Sequence, residues 1–120
     1  MPFDPVQLLA THWDAKDVAS FVGEFADDAT WTINTSPAAV GTAAVKATTE
    51  ALMGTAKSSR HHDLLVSKQD KTVVCHGAVE YEIEGKENKV VCRFCDVFEM
   101  NDDDKIAKCW TYMDVSPLAA

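Results

Sequence analysis

The chain has 120 residues, the length of one small domain, and 47% of them are hydrophobic, as in an ordinary globular protein. Nineteen acidic residues against eleven basic ones give a formal net charge of −8. This balance argues against nucleic acid and against anionic membrane surfaces as partners, because both bind to a basic face. The sequence has neither a signal-peptide pattern nor an apolar run near the ~18 residues that span a membrane. We therefore expect one cytoplasmic domain over residues 1–120.

The first half of the chain predicts three helices. Asp4 followed by Pro5 is a typical helix start, and apolar residues then recur at helical spacing as far as Trp13. Asp14 is predicted to cap a second helix, whose apolar stripe ends at Phe25. The third helix is predicted from Thr42 to about residue 57, and the short segment 29–33 between the last two is prone to form a strand.

In the second half, the apolar period changes from 3.6 to 2 residues, which predicts strands over 60–68, 72–84, 88–100 and 105–115. Short turns join the four segments, so they should form an antiparallel meander. One face of this sheet is apolar and must be covered, and the three helices are available to cover it. The predicted class is therefore α+β, with a curved antiparallel sheet closed by three N-terminal helices around an apolar pocket.

The four cysteines include a Cys-x-x-Cys pair, Cys92 and Cys95, whose spacing resembles redox and metal motifs. Both residues lie in a predicted strand, where side chains three positions apart point to opposite faces. The pair also lacks the βαβ context of a thioredoxin-like site. We predict that Cys75, Cys92, Cys95 and Cys109 are free thiols.

Asp96 breaks the pattern of its strand, because alternation places it on the apolar face between Phe94 and Phe98. An ionised carboxylate at such a position is costly unless it is paired or faces a cavity. A pairing with Arg60 or Arg93 is one explanation, but Arg93 should point to the opposite face. In an apolar cavity the pKa of Asp96 would rise, which suits a hydrogen-bond donor or a general acid.

His62 shares the alternation of Leu64 and Val66, so we expect it to face inward as well. Histidine suits acid–base chemistry near neutral pH, although a structural histidine is an alternative. The run His61-His62-Asp63 could suggest a metal site, but neighbours on a strand point in opposite directions. We therefore predict no metal site.

Two further points concern the pocket wall. Trp13 and Trp31 are predicted to belong to the core or to the wall of the pocket. In the last strand, either Trp110, Tyr112 and Asp114 or Cys109, Thr111 and Met113 could face inward, and the sequence leaves this choice open.

Short motifs in both halves of the chain resemble a known family. They are Phe-Ala-Asp-Asp-Ala-Thr-Trp from Phe25, Gly-Thr-Ala-Ala-Val from Gly41, Cys-Asp-Val-Phe-Glu-Met from Cys95 and Tyr-Met-Asp from Tyr112. In order and spacing they resemble the SnoaL-like, ketosteroid isomerase-like branch of the nuclear transport factor two (NTF2) superfamily. This resemblance implies a cone-shaped α+β barrel of the cystatin-like roll type, frequent homodimers and a pocket at the wide end. Members include isomerases, cyclases, dehydratases, epoxide hydrolases and binding domains, so the fold alone does not fix a function.

The resemblance also suggests roles for single residues. Asp96 falls where ketosteroid isomerases hold the protonated aspartate of the oxyanion hole, which is a known example of a neutral carboxylic acid. Their tyrosine and their general base fall on Leu9 and Ile33, which argues against that mechanism here. Scytalone dehydratases match differently, with Trp13-Asp14 at a catalytic Tyr-Asp pair and His62 near a catalytic histidine.

From these observations we predict a pocket protein for a hydrophobic, polycyclic or polyketide-like small molecule. It would be an isomerase, cyclase or dehydratase that needs no metal or cofactor. Asp96 and His62 are the predicted acid–base pair, and Asp14 is a further candidate whose position also suits a helix cap. The alternatives are a binding module without catalysis and a domain that dimerises through the face of Trp110 and Tyr112. The predicted pocket wall comprises Leu9, Trp13, Phe25, Trp31, Ile33, Val79, Phe94, Phe98, Thr111 and Met113.

Overall fold

The structure is a computed structural model that describes residues 2–119. Two helical segments precede a sheet of six strands, a third lies between the second and third strands, and a short helix follows the last strand. The predicted α+β class is confirmed. The helical elements are a π-helical segment (Gln7–Trp13), α1 (Val18–Val22), α2 (Thr42–Met53) and α3 (Ser116–Ala119). The strands are β1 (Phe25–Ile33), β2 (Ala39–Val40), β3 (Ser58–Gln69), β4 (Thr72–Glu82), β5 (Val90–Met100) and β6 (Ile106–Met113).

The strands lie in the order β2-β1-β6-β5-β4-β3. Strands β3 to β6 form the predicted antiparallel meander, with each strand paired to the next in sequence. The sheet is not antiparallel throughout, because β1 pairs with β6 in the parallel direction. Such a pair needs a long connection, and here the whole chain between β1 and β6 supplies it.

Three predicted helix boundaries were wrong. The second helix ends at Val22, and Phe25 begins β1 instead of closing the helix. Its N-cap is Asp17, which accepts a hydrogen bond from the backbone N–H of Ser20 (3.1 Å), and not Asp14. The third helix ends at Met53 and not near residue 57, and Ser58 already begins β3.

The core lies between the helices and one face of the sheet. Along β5, alternate residues from Cys92 to Met100 are buried, whereas Val91 and Arg93 are exposed. This alternation gives the strand one inner and one outer face, and Asp96 falls on the inner one. The aromatic rings of Trp13, Phe21, Phe25 and Trp31 form a cluster against that face. Within residues 2–119, every helix is too short or too polar to cross a bilayer.

Candidate active site

A cavity of about 350 Å³ lies between the helical segments and the inner face of the sheet. Most of the side chains around it are apolar, and the polar groups are few. Small-molecule sites commonly combine an apolar wall with a few placed polar groups. The lining residues are Leu8, Leu9, Trp13, Phe21, Trp31, Ile33, Leu52, Thr55, His61, Tyr81, Ile83, Lys86, Phe94, Asp96, Phe98, Cys109, Thr111, Met113, Val115 and Leu118.

Asp96 supplies a buried carboxyl group to the cavity wall, with 5% of its surface exposed. Strand pairing places it between Cys75 on β4 and Thr111 on β6. Its Oδ1 atom is shielded from solvent and has no hydrogen-bond partner within residues 2–119. Burial raises the pKa of Asp96 to about 6, against the opposing effects of the Thr111 side chain and of His61. Both protonation states are thus accessible near neutral pH.

His61 also lines the cavity, and Asp14, which is not among the lining residues, binds its ring. The Asp14 carboxylate accepts hydrogen bonds from Ser59 Oγ (2.8 Å) and from the His61 backbone N–H (2.7 Å). His61 Nδ1 lies 2.8 Å from Asp14 Oδ1. Burial alone would raise the pKa of Asp14, but the hydrogen bonds from His61 and Ser59 bring it below its ordinary value. Since Asp14 is ionised, Nδ1 of His61 must carry the proton, which leaves Nε2 for chemistry.

The prediction that His62 faces the cavity was wrong, because the neighbouring His61 faces it instead. The His61 side chain is 5% exposed, and its ring lies edge-on to Phe94 with a centroid distance of 5.4 Å. His62 is 23% exposed, and its Nδ1 lies 2.9 Å from Asp63 Oδ2. The physical reason is a β-bulge between His62 and Leu65, which reverses the alternation on which the prediction depended.

Thr111 joins Asp96 to the aromatic wall. Trp31 Nε1 donates a hydrogen bond of 2.9 Å to Thr111 Oγ1. Because the hydroxyl oxygen accepts from Trp31, its proton is available for a neighbouring acceptor. The interaction with the Thr111 side chain lowers the pKa of the Asp96 carboxyl group. The threonine therefore opposes the effect of burial.

Most of the predicted pocket wall lines the cavity, but Phe25 and Val79 do not. Phe25 lies behind the wall, 5.4 Å from Phe21 and 5.9 Å from Trp31 between ring centroids. Val79 is completely buried within the core cluster and does not reach the cavity surface. The predicted residues that do line it are Leu9, Trp13, Trp31, Ile33, Phe94, Phe98, Thr111 and Met113.

The structure resolves the alternatives for the last strand, since Cys109, Thr111 and Met113 face the cavity. Sequence reasoning missed His61 and Tyr81 as lining residues. Tyr81 shares the alternation of the apolar face of β4, which was the available signal. Its hydroxyl lies 3.8 Å from Met113 Sδ, and burial raises the pKa of Tyr81 so that the phenol stays neutral.

All four cysteines are free thiols, as predicted. Cys92 is buried on the inner face of β5, whereas Cys95 is partly exposed, as the strand argument requires. Burial raises the pKa of Cys109, so this cavity thiol is protonated at neutral pH. Among residues 2–119, no group of three or more histidine, cysteine or acidic side chains is placed to hold a metal ion.

Similar folds occur in solved structures. A protein with a ketosteroid isomerase-like fold from Catenulispora acidiphila, in complex with trimethylamine, is 12% identical with a TM-score of 0.84, over 98% of this chain and 90% of that one. A phenazine biosynthesis-related protein from Pseudomonas aeruginosa is 16% identical with a TM-score of 0.79, over 95% and 79%. A candidate polyketide cyclase from Xanthomonas campestris pv. campestris is 20% identical with a TM-score of 0.77, over 94% and 90%.

At these identities the similarity shows the fold, which is that of the NTF2-like and ketosteroid isomerase-like proteins. The sequence profile of the SnoaL-like domain matches residues 6–109. The chain therefore belongs to the SnoaL-like domain family, as its motifs predicted. A comparison with curated proteins found no significant match.

Proposed function

We propose that this protein catalyses enolisation of a hydrophobic ketone, as a cofactor-independent isomerase, cyclase or dehydratase. The observation that supports this proposal is the meeting of two polar groups in one apolar cavity. One is the buried Asp96, and the other is His61 held by Asp14. Membership of the SnoaL-like family supports the general class, a small-molecule isomerase or cyclase.

The two groups can divide the chemistry between them. Because the pKa of Asp96 is about 6, its carboxylate form predominates above that pH, and poor solvation makes it a stronger base than an ordinary aspartate. In the proposed step the carboxylate removes a proton from the carbon next to the carbonyl group, and the C–H electron pair becomes the enol double bond. In its doubly protonated form, His61 donates its Nε2 proton to the carbonyl oxygen, while Asp14 holds the ring through Nδ1.

The products of this step are the enol, protonated Asp96 and neutral His61, so the proton count balances. Return of the proton to a different carbon completes an isomerisation and restores both groups. In cyclisation the enol carbon attacks a second carbonyl group, whose oxygen takes the proton from Asp96, and the enol O–H proton returns to His61. In dehydration Asp96 protonates a β-hydroxyl group, which leaves as water, and the enol O–H proton again returns to His61. This assignment makes Asp96 the base and not the general acid that its raised pKa suggested, and His61 replaces His62 as the other member of the pair.

Deuterium exchange tests the proposal without knowledge of the natural substrate. The probe is 2-tetralone, a bicyclic ketone whose α-protons can be followed by NMR in D2O. We expect exchange above the buffer rate in the wild-type protein and in His76→Ala, whose imidazole is exposed on the outer side of β4. Asp96→Asn and His61→Ala should each lower the rate by ~100-fold or more. Equal rates in the wild type and both variants would refute the pair.

A second candidate function is ligand binding without catalysis, which the predominance of apolar side chains in the cavity wall favours. In this case 2-tetralone should bind saturably, as followed by tryptophan fluorescence of Trp13 and Trp31. Its exchange rate would remain that of the buffer. This combination of results would replace the enzyme proposal.

We also propose that the chain forms a homodimer through the outer face of β5 and β6. Val91 is 45% exposed and Tyr112 52% exposed, and Trp110 lies on the same side by alternation. Exposed apolar patches of this kind commonly mark protein–protein contacts. Light scattering should give twice the chain mass of 13.1 kDa. Tyr112→Glu should halve it, and Val40→Glu, on the distant strand β2, should not. A monomeric wild type would refute the dimer.

The cytoplasmic location and the single-domain organisation over residues 1–120 stay predictions. The expected ligand, a hydrophobic small molecule, is also a prediction. The proposed reaction uses only side chains of this chain and requires no metal or organic cofactor.

A further inference from the structure

The bulge in β3 occupies the stretch of the strand where the two adjacent histidines lie. His62 pairs with Ala78 and Leu65 pairs with His76, so the two residues between them stand opposite Gly77 alone. Asp63, the first of those two residues, has a φ of +56°, in the left-handed region that non-glycine residues rarely adopt. A β-bulge with one extra residue has this pairing.

Gly77 is the residue that makes room for the bulge. A Cβ atom at position 77 would lie 2.9 Å from the carbonyl oxygens of both His62 and Asp63, and 2.9 Å from Leu64 Cδ2. Two of these three contacts are with backbone atoms, which cannot move aside as the end of a side chain can. Any residue other than glycine at this position must therefore displace the bulge.

The bulge also decides which histidine enters the cavity. His61 pairs with Val79, an inward-facing residue, while beyond the bulge Val66 pairs with the inward-facing Cys75. An odd-numbered and an even-numbered residue can share a face only if the alternation is reversed between them. Without the bulge, continuous pairing from the C-terminal half would turn His62 inward and His61 outward.

Two contacts hold the arrangement that the bulge allows. On the inner side, Asp14 accepts hydrogen bonds from both the backbone N–H and the ring of His61. On the other side, the Asp63 carboxylate lies 2.9 Å from His62 Nδ1. We infer that the bulge at Asp63, for which position 77 must be glycine, selects His61 over His62 as the histidine of the cavity. Asp63 and Gly77 are then positioning residues, and this inference rests on the proposed role of His61.

The test combines Gly77→Ala with deletion of Asp63. Deletion leaves one residue opposite Gly77 and removes the bulge, while the His61–Val79 and Leu65–His76 pairs keep their register. Gly77→Ala alone should weaken 2-tetralone exchange by at least 10-fold and abolish the NMR signal of the His61 Nδ1 proton bonded to Asp14. Gly77→Ala together with the deletion should restore both to within about threefold of wild type. Gly54→Ala, at the end of α2, is the matched control and should change neither.

The NMR signal separates this inference from the enzyme proposal, because it reports where His61 points whether or not the protein has exchange activity. Retention of the signal and of any exchange activity in Gly77→Ala would overturn the inference. So would a double variant that folds without recovering the signal, or one that does not fold at all, since the deletion is expected to relieve the clash.

Discussion

Replacing Asp96 by asparagine should make the protein more stable at neutral pH while removing its proposed base. The pKa of Asp96 rises from its ordinary value of 3.8 to about 6 on folding. At 1.36 kcal/mol per pKa unit, this corresponds to about 3 kcal/mol. Because the folded state holds the proton more tightly, this stabilisation is fully present below pH 3.8 and disappears as the pH rises through 6. The ionised carboxylate of the wild type therefore lacks it at pH 7.5.

The assay is urea unfolding followed by tryptophan fluorescence at several pH values, in the wild type and in Asp96→Asn. Other groups also titrate, so the informative quantity is the difference in unfolding free energy between the two proteins. Two-state linkage places roughly 2 kcal/mol of the change between pH 4.5 and 7.5, in the direction that favours the variant at higher pH. Asp28→Asn, at an exposed position of β1, is the control and should show a smaller dependence. A difference for Asp96→Asn that does not vary with pH would refute the raised pKa.

Further predictions concern the neighbours of the two proposed catalytic groups. Asp14→Asn should lower 2-tetralone exchange by ~10- to 100-fold, because a neutral amide cannot balance the charge that His61 carries as the proton donor. Unchanged exchange would contradict the proposed role of Asp14. In the wild type, exchange should fall below about pH 6 as Asp96 is protonated. Thr111→Val should move this limb to higher pH, because the Thr111 side chain lowers the pKa of Asp96. Thr111→Ser keeps the hydroxyl group and should keep the wild-type pH profile. If Thr111→Val leaves the pH profile unchanged, the Thr111 side chain does not lower the pKa of Asp96.

Much of the fold follows from periodicity in the sequence. The meander β3–β6 was predictable because its strands are long, alternate clearly and are joined by short turns. The boundary between α1 and β1 was not, because Phe25 fits the apolar stripe of the helix as well as the buried face of the strand. The parallel pairing of β1 with β6 depends on residues 75 or more positions apart along the chain. No local pattern records such a contact.

The residues of the candidate site were harder to predict from the sequence than the fold. Asp96 could be predicted because one charged residue interrupts an otherwise apolar face, and strand alternation holds along the whole of β5. Strand alternation predicts the wrong histidine in β3, since alternation fails wherever an extra residue is inserted. A glycine in a strand interior is a known mark of a bulge, and Gly77 lies in β4, opposite the two histidines. The signal was therefore in the partner strand, and only the pairing register connects it to His61.

This dependence on register has a consequence for relatives of this domain. The three groups of the proposed site come from separate elements: Asp14 follows the π-helical segment, His61 lies on β3 and Asp96 on β5. The Asp96 side chain points into the cavity as long as the side chains of β5 alternate between the two faces. The His61 side chain points into the cavity only because of the bulge in β3. In a relative that lacks both the extra residue and the glycine, β3 would be regular, and the alternation of that strand alone would decide whether its histidine faces inward. When activity is inferred for a relative, the positions that correspond to Asp96 and His61 should therefore be compared, and not the fold alone.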